Sequence, residues 1–116
     1  MTIVPIVRYV DTDAALAFLT EGLGFAVHGD VTRDEAGQIV HAELRRGGSF
    51  VMLSNADEAT PREVYAADDE PDALFERAVS AGADVVYAPK DQSYGAREFA
   101  VKDPEGTTWY VGTYEP

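Results

Sequence analysis

The sequence predicts an α+β domain made of two βαβββ modules. Three observations carry that expectation. Strand-type alternation and helical periodicity follow one another in the same order in each half. Leu16 and Leu74, Gly24 and Gly82, and Gly48 and Gly106 are each 58 residues apart, as an internal repeat would leave them. The polar stretch "NADEATPRE", with its proline, falls between the halves. At 116 residues the chain has the size of one domain. Each half alone is too small to bury a sheet, so the halves must pack together, within one chain or between two. Module one is placed at about 1–54, the linker at 55–62 and module two at 63–116.

The elements follow in order. "TIVPIVRYV" is β-branched and alternating, hence a strand, with Pro5 marking an edge or an interrupted ladder. "DTDAALAFLTEGLG" changes period. Asp11 or Thr12 caps a helix whose inner face carries Ala15, Leu16, Leu19 and Leu23, and Gly22 and Gly24 end it. "FAVHGDVT" reads as a strand and "RDEAGQ" as a turn. "IVHAELR" and "SFVMLS" are strands around a tight "RGG" turn. In the second half "EVYAAD" is a strand. "DEPDALFERAVSAG" is a helix with Pro71 in its first turn, an inner stripe of Leu74, Phe75, Ala78 and Val79, and a stop at Gly82. "ADVVYAP" is a strand and "KDQSYGA" a loop. "REFAVK" and "TTWYVGTY" are strands joined by "DPEG", where proline presets φ and glycine accepts a positive one.

Composition narrows the partners. A formal charge of −12 repels phosphates, so neither nucleic acid nor an anionic membrane surface is expected. No apolar run reaches the roughly 18 residues of a membrane span. "MTIVPIVRYVD" has no basic leader and reads as a first strand. The absence of cysteine removes disulfides, thiolate metal sites and a cysteine nucleophile, and fits a cytoplasmic protein. Neither a Gly-rich phosphate loop nor a Gly-x-Ser-x-Gly elbow is present. The acidic run Asp68, Asp69, Glu70 ahead of the second helix is expected to cap it and complement its dipole.

Three stretches together carry a resemblance. "REFAVKDPEGTTWYVGTY" is similar to the closing hairpin of the vicinal oxygen chelate superfamily, which includes glyoxalase I, extradiol dioxygenases and bleomycin-resistance proteins. "VRYVDTDAALAFLTEGLGF" resembles the family's first strand and helix, and "HAELRRGGSFVMLSN" looks like its small PhnB-like branch. The resemblance implies curved sheets around a cavity, helices on the outer face, and homodimers that sometimes exchange modules. On the closing strand, alternation sends Trp109 and Val111 toward core and helix, and Tyr110, Gly112 and Tyr114 toward the ligand space.

Metal-dependent members hold a divalent ion through His and carboxylates on the first and last strand of each module. Carried over, those positions fall on Val4, Met52 (or Leu53 with a one-residue slip), Arg62 and Tyr110. Hard cations take oxygen and imidazole ligands, so valine, a thioether, a guanidinium and a phenol predict neither metal nor other cofactor. His41 and Glu43 share one strand face and, with His28 on the neighbouring strand, are the one alternative ligand group. The same pair could move protons, or simply line a polar strand face. The resemblance also implies an anion contact for Arg8. Tyr94 and Arg97, after a loop, are candidates to stack on and pair with a ligand. Expected ligand-binding residues are thus Arg8, His41, Met52, Tyr94, Arg97 and Tyr110, and the catalytic candidates are His41, Glu43 and Tyr110. The leading expectation is a metal-free protein that binds a small organic molecule between modules or subunits, drug sequestration being one version. The alternatives are a lyase or isomerase using His41, Glu43 or Tyr110, and a metal enzyme with shifted ligands.

Overall fold

The computed structural model describes residues 1–116. Its elements are β1 (Ile6–Tyr9), α1 (Thr12–Ala17, continued by a π-helical turn over Phe18–Gly22), β2 (Ala26–Val27), β3 (Thr32–Arg33), β4 (Ile39–Arg46) and β5 (Ser49–Asn55). After residues 56–62 come β6 (Glu63–Ala67), α2 (Pro71–Ser80), β7 (Asp84–Asp91), β8 (Arg97–Lys102) and β9 (Thr108–Gly112). The first sheet runs β1-β5-β4-β2 with β3 also on β4, and the second runs β6-β9-β8-β7. In each, the module's first strand lies parallel to its last while the other pairs are antiparallel. This is the two-module α+β architecture that the sequence predicts.

Pro5 shortens the first strand. It has no N–H to give the ladder, so β1 starts after it, although its carbonyl still accepts from Met52 N at 2.9 Å. Gly29, at φ 77°, breaks the expected strand over 25–32 into the two-residue pieces β2 and β3. Asp11 caps α1 through Ala14 N at 3.0 Å. The widened turn after α1 has a local cause. Thr20 Oγ1 donates to the carbonyl of Leu16 at 2.8 Å, and Leu23 N reaches back five residues to Phe18 O at 3.2 Å. Gly22 lets α2 approach here, an added Cβ lying 3.5 Å from Ala81 Cβ. Phe18 is buried as a result, while Leu16, expected on the inner stripe, is half-buried. In α2 the stripe is Pro71, Leu74 and Ala78. Val79, expected inside, is 44% exposed, since the π-helical turn meets α2 at Ala78 and Ala81. The acidic run before α2 is used otherwise than expected. Glu70 sits at the cap with no side-chain bond, Asp68 Oδ1 accepts from Glu70 N at 2.8 Å, and Asp68 pairs with Arg46 of module one.

One core of 17 buried residues runs through both modules, from Val7 and Tyr9 to Trp109 and Val111. The "DPEG" turn is its polar anchor. Asp103 Oδ1 accepts from Glu105 N and Thr107 N at 3.0 and 3.1 Å. Its Oδ2 accepts from Tyr9 OH at 2.6 Å and Trp109 Nε1 at 3.1 Å. The turn that closes module two therefore also holds the first strand of module one.

Candidate functional site

Each sheet buries one face in the core and leaves the other open. Pairing registers decide which side chains share the open faces, since directly opposed residues point the same way. On sheet one, Ile6 opposes Met52 and Arg8 opposes Ser54. Across the next ladder, His41 opposes Ser54, Glu43 opposes Met52 and Arg45 opposes Phe50. Their neighbours Val7, Ala42, Leu44, Val51 and Leu53 fill the core. The structure thus brings Arg8, His41, Glu43 and Met52 onto one face, and places Leu53 inside. Arg8 donates to Ser54 Oγ at 3.4 Å, and His41 Nε2 lies 3.9 Å from Glu43 Oε1. His28, its ring edge-on to Phe50 at 5.2 Å, borders the same face. A hollow of about 240 Å³ is lined by Thr2, Val4, Glu43, Phe50 and Met52.

The open face of sheet two is built from tyrosines and acids. Tyr65 opposes Tyr110, Tyr110 and Tyr87 oppose Ala100, and Gly112 opposes Glu98. Trp109 and Val111 are 1% exposed on the core side, as alternation requires. Tyr110 OH donates to Glu63 Oε1 at 3.2 Å. Tyr94, in the turn after β7, donates to Glu98 Oε1 at 2.9 Å, and Tyr87 donates to Glu98 Oε2. Tyr65 OH donates to the carbonyl of Tyr114 at 2.6 Å, with its ring edge-on to that of Tyr114. The hydroxyls of Tyr87, Tyr94 and Tyr110 are held above the usual tyrosine range. Burial is the largest cause for Tyr87, and hydrogen bonding to Glu98 and to Glu63 for the other two. They remain protonated donors at neutral pH. Arg97 lies elsewhere. Its guanidinium is held by Asp72, at the start of α2, at 2.7 and 3.1 Å and by Asp91 at 3.2 Å, which raises it above the usual arginine range.

Sequence reasoning passed over Glu63, Tyr65, Tyr87 and Glu98. A signal for Glu98 was present: in "REFAVK", alternation sets it with Ala100 on the face opposite Phe99 and Val101, an acid among apolar neighbours. The position of Glu63 was hidden by an insertion. Met52 and Tyr110 are 58 residues apart, but their parallel partners Ile6 and Tyr65 are 59 apart. The counterpart of Val4 is therefore Glu63, one residue beyond Arg62.

Two βαβββ modules, each a mixed sheet closed by its helix on one side and open on the other, define a paired-module α+β protein. The chain belongs to the Glyoxalase/Bleomycin resistance protein/Dioxygenase superfamily, whose sequence profile matches residues 2–111. It is similar to the crystal structure of TioX from Micromonospora sp. ML1, at TM-score 0.85 and 30% identity over 99% of both chains. A protein of unknown function from Agrobacterium tumefaciens shares the fold at TM-score 0.77 and 19% identity, over 97% of this chain and 92% of that one. An uncharacterised protein of Mycobacterium tuberculosis is 36% identical over 66% of this chain and 53% of its own length. A Mycobacterium bovis counterpart matches equally over 59% of its length, so the chain spans little more than half of these curated relatives.

The divalent cation of metal-dependent superfamily members can be tested against the four corresponding residues. They are Val4, Met52, Glu63 and Tyr110: one carboxylate, one protonated phenol, a thioether and a hydrocarbon. That set does not fit a hard cation, which takes several oxygen or imidazole donors. No group of three His, Asp or Glu side chains elsewhere in the chain is arranged to hold one.

Proposed function

We propose that this protein binds a small organic molecule without a metal, against the open sheet faces, in a cavity completed by a second copy of the chain. The observation that carries this reading is the makeup of the four positions where metal-dependent relatives coordinate. Met52, Val4 and the phenol of Tyr110 are surfaces for burial and stacking. The hollow at Met52, about 240 Å³, is smaller than ordinary ligand sites of roughly 300–1,000 Å³. The exposure of Ile6 (56%) and Tyr65 (40%) on the two open faces also supports covering by another chain. Affinity would rest on burial, stacking and a few polar contacts, with no covalent step. Sequestration of a drug-like molecule is one biological form of this activity. Within that site Arg8 and His41 supply polar contacts, Met52, Tyr94 and Tyr110 supply contact area, and Arg97 positions the turn that carries Tyr94.

The test is metal retention. Protein dialysed against Mn²⁺, Fe²⁺, Ni²⁺ and Zn²⁺ and then desalted is expected to keep far less than one equivalent per chain. One equivalent, lost on His41→Ala or Glu63→Gln, would overturn the reading. A second reading has the His41–Glu43 pair in its favour: proton transfer beside a carbonyl, as in an isomerase or lyase. His41→Ala distinguishes the two, since it abolishes turnover in a catalyst and only weakens affinity in a binder.

A further inference from the structure

Glu98 is 9% exposed and takes part in none of the chain's ion pairs. A buried carboxylate ordinarily has a cation to face, because leaving its charge uncompensated in a poorly solvated site is costly. Here its two oxygens are met only by the hydroxyls of Tyr94 and Tyr87. Each oxygen has a second lone pair to offer. Gly112, directly across the ladder, leaves room for the Glu98 side chain: an added Cβ would stand 2.9 Å from Arg97 O and 3.1 Å from Glu98 Cβ. Tyr65 and Tyr110 are close enough to feel the carboxylate's charge, which helps to raise both hydroxyls after the larger effects of burial for Tyr65 and of the Glu63 bond for Tyr110. Tyr114 closes the ring, edge-on to Tyr65 and to Tyr94 with centroids 6.3 Å apart in each pair. Aromatic faces around a carboxylate attract organic cations twice over, through the charge and through the ring quadrupoles.

One resident cation already uses a ring of this cluster. Lys90 opposes Glu98 in the strand register, yet its amine lies over the ring of Tyr87, 4.4 Å from the centroid, and makes no ion pair with Glu98.

We infer that the cluster of tyrosines around Glu98, on the open face of sheet two, is a subsite for an organic cation, a protonated or quaternary amine borne on a planar or apolar body. This rests on the small-molecule reading above and gives it a chemical class. The amine would face the free lone pairs of Glu98, and its apolar body would lie against Tyr65, Tyr94 and Tyr114. Lys90 would be displaced from Tyr87 or remain as a competitor.

The test uses 9-aminoacridine, a planar cation at neutral pH, and acridine-9-carboxylate, an anion of the same shape, titrated into the intact protein by calorimetry. The cation is expected to bind and the anion not. Glu98→Gln should weaken the cation about tenfold, the worth of one charge-assisted contact. Lys90→Met should strengthen it about threefold by removing the competitor. Tyr94→Ala, at a side chain already 60% exposed, should weaken it without disturbing the fold. Glu35→Gln, an acid in an exposed turn, should change nothing and so excludes general attraction to an acidic surface. Equal binding of both acridines, with Glu98→Gln unchanged, would overturn the cation subsite while leaving small-molecule binding intact. If neither acridine binds, the subsite proposal is also overturned, and the metal-retention assay judges the broader reading separately. A Glu98→Gln variant that changes oligomer mass but not probe affinity would make Glu98 an interface residue and overturn the proposal too.

Discussion

Asp103 accepts four hydrogen bonds on a side chain 4% exposed, from Tyr9, Trp109 and two backbone amides. Asp103→Ala would strand all four donors, two of them on the largest side chains of the core. A loss of about 3–5 kcal/mol is expected by chemical denaturation, against about 1 kcal/mol for Tyr9→Phe, which gives up one bond and keeps the ring. The sign of the pH dependence follows from Tyr9, whose hydroxyl is raised well above the tyrosine range, first by burial and then by its bond to Asp103. A raised folded pKa means that the native state holds its proton where the unfolded chain has lost it. Stability from this residue is complete below the unfolded value of about 10 and falls as pH climbs past it. Melting temperature against pH should decline less steeply above about pH 10 in Tyr9→Phe than in the parent. The sequence showed Asp103 as the first residue of a turn and Trp109 as core. It could not show that one carboxylate serves both Trp109 and Tyr9, since that depends on how the modules meet.

At the scale of elements, alternation and turn chemistry were legible where they are local. Both long hairpins, both helices and the burial of Trp109 and Val111 follow from them. What was not legible depended on neighbours: the π-helical turn, the exposure of Val79 and the one-residue insertion that puts Glu63 in the place opposite Thr108. Two substitutions test the element-level account. Gly112→Ala forces a methyl to 2.9 Å from Arg97 O in the β8–β9 ladder, and should cost about 1–3 kcal/mol. Val79→Lys, on the exposed margin of α2, should stay within about 0.5 kcal/mol of the parent. A larger loss at Val79 would mean that α2 packs as the simple helical stripe suggested.

For the whole molecule, the joint between modules is both apolar and polar. The core runs through it, Arg46 pairs with Asp68, Arg77 donates to the carbonyls of Thr20 and Glu21, and Glu105 accepts from Val10 N and Asp11 N. Modules tied in this way should unfold in one transition, with fluorescence of Trp109 and far-ultraviolet circular dichroism giving the same midpoint. The family resemblance placed Met52 and Tyr110 on open faces and alternation marks Glu98, but the grouping of Glu98 with Tyr65, Tyr87 and Tyr94 emerges only when the strands of sheet two are set side by side. No helix is long and apolar enough to cross a membrane. The central claim is a metal-free site for a small organic molecule, shared between two copies. A native mass spectrum of the protein purified from its own cells tests it most directly. The account predicts a dimer without metal that carries an organic adduct, released on unfolding. A species with one divalent ion per chain would contradict it.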